Sequence, residues 1–303
     1  MPNDIIEKQV AALQALRELP PAKAEVLLKQ ALAKPNNYLV SKAAALAAEL
    51  GIHAAIPVLL TAFDRFLAGG AALDPQCWAK TAICKALRDL SHEDPDIFLK
   101  GITVVQMEGI WNGSVDTATS LRGTCALALI ATRLPDLQIL SNLTDCLADS
   151  GKTVRMDATA AIGQLGREEG ALLLRLKVLN GDKESEVTGQ CLQALLAIQG
   201  AAAVPFVNRY LQSDDEELQL EAAIALGQSK EPEALRRLKS AWEDPLASGL
   251  RKGILIALGA SPLRDAAEML AAVAEQEHRT ELGLLARRAL GASRFRDEFT
   301  HLL

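Results

Sequence analysis

Aromatic side chains make up only 4% of this 303-residue chain, as three Trp, two Tyr and six Phe. A core of stacked rings is excluded, and each Trp becomes a position to account for. Histidine is equally sparse: His53, His92, His278 and His301 stand too far apart in sequence for a metal site. Five cysteines (Cys77, Cys84, Cys125, Cys146 and Cys191) form no C-x-x-C pair and sit in Ala/Leu-rich stretches. They read as small buried residues of a reducing compartment. Basic charge is not in excess. With 32 bases against 38 acids the net charge is −6, and residues 1–150 and 151–303 each carry −3. That balance argues against nucleic acid and anionic membrane as partners. No apolar run approaches the ~18 residues of a membrane span. The opening "MPNDIIEKQV" is acidic and amphipathic, not a basic-then-apolar leader, so a cytoplasmic location is expected. Nucleophile, phosphate-loop and zinc motifs are missing, so no catalytic residue and no cofactor is expected. No segment alternates polar and apolar residues as a strand does, so the fold is expected to be all-α.

What is present is mostly Ala and Leu, both strong helix formers, arranged in a repeat. "LRGTCALALIATR" from Leu121 aligns with stretches beginning at Val154, Val187, Leu218, Leu250 and Leu282, spaced 33, 33, 31, 32 and 32 residues apart. Each has Leu or Ile eight residues on, at Leu129, Ile162, Leu195, Leu226, Leu258 and Leu290. Copies begin upstream at Leu39 and Ala79, and a degenerate one near Lys8, giving about nine units in a single domain over 1–303. Every unit has a second half with apolar residues at i, i+3, i+4 and i+7, such as "AAIPVLLTAF" from Ala54 and "AAVPFVNRYL" from Ala202. Pro falls near its first turn. Gly51, Gly166, Gly200, Gly227, Gly259 and Gly291 end the preceding helices, where left-handed caps are expected.

Two helices per ~32 residues describe an α-solenoid. The stretches "VRMDATAAIGQLGREEGALLLRLKVL" and "LQLEAAIALGQSKEPEALRRL", with the Ile-Pro and Val-Pro helix starts, resemble the HEAT-repeat family. Within it they are most similar to the short bacterial-type HEAT-like repeat named after phycobilisome lyases. The resemblance implies a right-handed superhelix with first helices convex and second helices concave. It is nearly silent on function, because such arrays serve many roles. A di-iron hydroxylase of related architecture uses several His-Glu pairs; here only His92-Glu93 occurs.

Three groups of residues are candidates for function. A basic column (Arg122, Arg155, Arg251 and Lys80) follows the first apolar residue of its helices and reads as structural, stems packed and heads paired. A second column, one residue per second helix, runs Lys100, Asn142, Arg175, Asn208, Lys239, and is expected to line the concave groove. The third group comes from two additions to the repeat. Starts at Leu39, Ala79 and Leu121 are 40 and 42 residues apart, so long loops are expected near 67–76 and 107–118, emerging together on one edge. They bring Trp78, Glu108, Trp111 and Asp116 toward Arg122. Asp116 or Thr117 is the expected helix cap and Asn112-Gly113 a turn. Trp contributes large contact area at low entropic cost, and inserted loops often mark a solenoid's binding face.

The function expected from these residues is a non-catalytic scaffold that binds another protein through the second-helix face and the two long loops. The sequence does not specify the partner or the oligomeric state. Two enzymatic alternatives come from resemblance. HEAT-like alkylpurine DNA glycosylases use Trp, Asp and Arg in a basic groove, a set that Trp111, Asp116 and Arg122 resemble, but the dense Lys/Arg lining is missing. A bilin-lyase-like subunit is the other, and nothing here specifies a bilin site.

Overall fold

The computed structural model describes residues 2–303, apart from the side chains of 2–7 and 245–247. Almost everything is helix. In order the elements are α1 (Pro2–Gln14), α2 (Pro21–Leu32), α3 (Asn37–Glu49), α4 (Ile56–Leu73), α5 (Trp78–Asp89) and α6 (Asp96–Gly101). Then come β1 (Met107–Ile110), β2 (Gly113–Asp116), α7 (Thr119–Leu129), α8 (Asp136–Leu147) and α9 (Lys152–Leu165). The remainder is α10 (Glu168–Asn180), α11 (Ser185–Gln199), α12 (Val204–Asn208), α13 (Glu216–Gln228), α14 (Pro232–Glu243), α15 (Arg251–Gly259), α16 (Arg264–Gln276) and α17 (Glu281–Ala292). Two compact units, Met1–Ala161 and Ile162–Leu303, make up the chain where the repeat anticipates one domain. An array whose members touch only their neighbours is held by few long-range contacts at any cut.

Both units are α-solenoid stacks. Odd-numbered helices are the predicted first helices and pack on one another: α3 on α5 on α7 in the first unit, and α11 on α13 on α15 on α17 in the second. Leu129, Ile162, Leu195, Leu226, Leu258 and Leu290 are all buried. After α17 the chain forms only short 3-10 turns at Arg296–Glu298 and Thr300–Leu302, so the ninth unit has no full second helix.

The glycines divide into two kinds. Gly51, Gly166 and Gly200 have φ of 64°, 68° and 54° and are the left-handed caps expected. Gly227, Gly259 and Gly291 instead lie inside their helices. A Cβ at Gly227 would lie 2.3 Å from the carbonyl oxygen of Ala257, so this glycine lets α13 and α15 approach.

Three sequence expectations need correction. Residues 107–116 form an antiparallel hairpin, with Glu108 opposite Val115 and Ile110 opposite Gly113, not a loop. The addition near 67–76 is mainly helix: α4 runs on to Leu73, breaking at Gly70 (φ 54°). The segments His53–Leu73 and Ser185–Gln212, with mean hydropathy 1.4 and 1.5, are apolar and long enough to cross a membrane by composition alone. Both consist of helices of the solenoid stack, and Gly200 interrupts the second.

Candidate functional site

The two additions meet within the first unit, as their spacing predicts. After α4 the chain turns through Gln76 and Cys77, both left-handed (φ 59° and 53°), a conformation that costs a non-glycine residue energy. Asp74 holds the turn. Its fully buried carboxylate accepts from the N–H groups of Ala79 (2.9 Å) and Lys80 (3.0 Å) and from Asn37 Nδ2 (3.1 Å). Lys80 Nζ, 1% exposed, lies 3.0 Å from Asp74 Oδ2 and donates at 3.0 Å to Gln106 Oε1.

Gln106 carries this network into the hairpin. Its amide donates to Asp74 O (2.9 Å) and Glu108 Oε1 (2.7 Å). The same Glu108 oxygen accepts from Thr117 Oγ1 (2.6 Å) and from Gln76 N (2.6 Å), a direct bond between the two additions. Hydrogen bonds from Thr117 and Gln106 hold the Glu108 carboxyl below its usual range.

The other strand is anchored by Asp116. Its Oδ1 accepts from Gln106 N (3.1 Å) and Ala118 N (3.0 Å), and its Oδ2 lies 2.7 Å from Arg122 Nη1. Asp116 thus braces the start of α7 from outside; the N-cap residue itself is Ala118, which has no capping side chain. Burial pushes the Asp116 carboxyl up, but the hydrogen bonds from Gln106, Ala118 and Arg122 outweigh it and leave it lowered. Arg122, 4% exposed, grips Asp149 through Nε (2.7 Å) and Nη2 (2.9 Å) and also donates to Val104 O (2.8 Å). Burial lowers its pKa and the two carboxylates more than restore it.

Above this root the hairpin is exposed. Trp111-Asn112 makes the turn, one residue earlier than the expected Asn112-Gly113, and Gly113 (φ 135°) opens β2 opposite Ile110. Trp111 stands at the tip, 99% exposed, with Val105, Met107, Ile110 and Val115 also exposed below it. One face of the hairpin walls a groove of about 800 Å³ over α3 and α5, lined by Tyr38, Trp78, Lys42, Lys85, Ile110 and Val115 among others. Trp78 is partly exposed and tilts against Tyr38 with ring centroids 5.9 Å apart. The other face borders a second groove of about 600 Å³ that includes Lys100 and Met107.

The named candidates therefore separate into roles. Trp111, Trp78 and Glu108 belong to the hairpin and its groove, and Trp111 lies outside the groove wall. Asp116 and Arg122 are root struts, and their carboxylate and guanidinium are consumed internally. Trp111, Asp116 and Arg122 do not converge on one cavity as a base-excising set requires. In the second-helix column none is buried. Lys100 lies 3.3 Å from Asp64, Asn142 donates to Gln138 O (2.8 Å), and Arg175 stacks 4.2 Å from the Phe206 ring centre. Among the described residues Asn208 and Lys239 have no such contact. Of the basic column, Lys80, Arg122 and Arg155 are buried. All five cysteines are buried free thiols; burial pushes Cys146 up to about 12, so it stays protonated at neutral pH. Among the described residues no group of three or more His, Cys, Asp or Glu side chains is placed to hold a metal.

Sequence reading missed Asn37, Asp74, Gln106 and Asp149, although Asp74, Asp116, Asp149 and Asp182 each stand five residues before a repeat start (Ala79, Leu121, Val154 and Val187), a column that aligning the units exposes. It also missed Tyr38, Lys42 and Lys85. Tyr38 precedes the repeat start at Leu39 just as Trp78 precedes Ala79, so aligning position by position exposes the aromatic pair.

With this geometry in view, the HEAT-repeat family model matches residues 172–259 and 209–291. That part of the chain consists of HEAT repeats. No curated protein sequence matches the chain. Among solved structures it is similar to the complex of CpcE and CpcF of phycocyanin lyase from a Nostoc species, at 20% identity over 74% of this chain and 87% of that one, TM-score 0.40. It is also similar to human deoxyhypusine hydroxylase, at 21% identity over 84% of this chain and 94% of that one, TM-score 0.32.

Proposed function

We propose that this protein is a non-catalytic scaffold that binds another protein, with the 107–116 hairpin as its anchor. The observation that carries the reading is Trp111: a Trp 99% exposed on a hairpin whose root is locked by buried ions. Exposed Trp is costly unless another surface covers it, and Trp is enriched among residues that dominate binding energy. A preset hairpin also loses little entropy on association. In the second-helix column the exposed Lys239 and the half-buried Asn208 serve as secondary contacts.

The test is affinity capture from lysate of the source organism with wild type and Trp111→Ala, both first shown to melt alike. A protein retained by wild type and lost with Trp111→Ala supports the reading. Equal retention by both variants removes the hairpin from the function.

A further inference from the structure

The groove beside the hairpin has chemistry of its own, and resting on the scaffold reading we infer that it receives an extended, acidic segment of a partner protein carrying one large apolar side chain. Its wall offers apolar surface on two sides: the Tyr38–Trp78 pair from the helices, and Ile110 with Val115 from the hairpin. Each strand of the two-stranded sheet keeps one unpaired edge, and an extended chain is the form that can hydrogen-bond to such an edge.

Charge selects the segment. Lys42 and Lys85 line the groove, are exposed, and among the described residues pair with no carboxylate; Lys42 rests on the Tyr38 ring, 5.1 Å from its centre. The acids nearest Lys85 along the helices are already engaged, Glu49 by Arg17 and Asp89 by Arg88. Some lysines elsewhere pair, as Lys29 does with Glu25 and Lys252 with Glu281, and among the described residues others such as Lys239 do not; what sets Lys42 and Lys85 apart is that they share one groove. In a chain with more acids than bases, two neighbouring lysines without partners leave a cationic site. The single carboxylate of the groove, Glu108, is turned into the hairpin root by three hydrogen bonds. Two lysines and an aliphatic wall suit a peptide better than the phosphate track of a nucleic acid, which needs a longer basic lining.

The test uses a synthetic peptide array in which one Phe, Leu or Trp is flanked by all combinations of Asp, Asn and Lys, probed with the full chain. Wild type should prefer Asp-flanked peptides, with binding that weakens as NaCl rises. The double variant Lys42→Glu/Lys85→Glu should lose about tenfold or more on those and gain on the Lys-flanked ones; Lys42→Gln/Lys85→Gln, a milder change, should lose the preference without reversing it. Trp111→Ala should leave peptide binding within about twofold, because Trp111 is outside the groove. The two readings therefore fail separately. A wild type without preference for acidic peptides, an unchanged preference in both lysine variants, or tighter binding of a single-stranded oligonucleotide each overturns the inference.

Discussion

Residues 172–291 follow one template closely enough for a family model to match them, whereas the stretch from Leu39 to Arg122 departs from it twice. The regular part is held by small side chains and close backbone approach, as where Gly227 meets Ala257. The irregular part buries ions: Lys80 with Asp74, and Arg122 with Asp116 and Asp149. Repetition rests mainly on complementary apolar faces, although the regular part also holds a buried carboxylate, Asp182, against Lys177 at 2.8 Å. Projecting a hairpin from a helical stack needs backbone in non-helical conformations, and those polar groups must be satisfied by something other than the helix ladder.

This contrast can be broken at either end. The largest effect is expected from Lys80→Met, which strands a fully buried Asp74. It should cost about 3–5 kcal/mol in urea unfolding, with the double variant Asp74→Asn/Lys80→Met recovering much of the loss. If Lys80→Met alone is neutral, buried ions do not hold the first unit. In the second unit the sensitive quantity is volume. Gly227→Val places a Cβ against the carbonyl of Ala257, and the melting transition should fall by the equivalent of about 3 kcal/mol.

Next comes a change that should separate binding from folding. Trp111→Ala should shift stability by less than about 0.5 kcal/mol while weakening the partner complex by about 2 kcal/mol, read by calorimetry once a partner is in hand. A large loss of stability would return Trp111 to the core. The smallest effect is on pH. Glu108 and Asp116 lie below their ordinary values of 4.5 and 3.8 in the folded chain. They therefore stabilise the hairpin above those values, and the contribution is lost as pH falls through the folded ones. Amide exchange at Gln76, Gln106 and Ala118 should speed up on acidification relative to amides of α13. Exchange that changes equally in both places would show no special role for these carboxylates.

Helices and their order were legible because the period of buried Leu and Ile is imposed by packing on both neighbours. The hairpin was not legible as strands. A period of two shows only when one face is buried, and Met107, Ile110 and Val115 are all exposed. Only Asn112-Gly113, a turn signal by conformation and not by burial, was readable, and it lay one residue past the observed Trp111-Asn112 turn. Likewise the long repeat spacing suggested a loop near 67–76, although α4 extends to Leu73. The meeting of the two additions followed from stacking alone, and Asp74 and Asp149 were legible as members of the Asp column five residues before the repeat starts, whereas Gln106 stands beside the inserted hairpin and acts through contacts of its own.

The double root of the hairpin has a mechanical consequence. A pull on Trp111 enters one strand and passes through Glu108 to the backbone of Gln76, ahead of α5. Through the other strand it reaches Asp116, Arg122 and finally Asp149, beyond α8. The load is shared between two successive repeats instead of bending a single tether, so a partner held there is held stiffly.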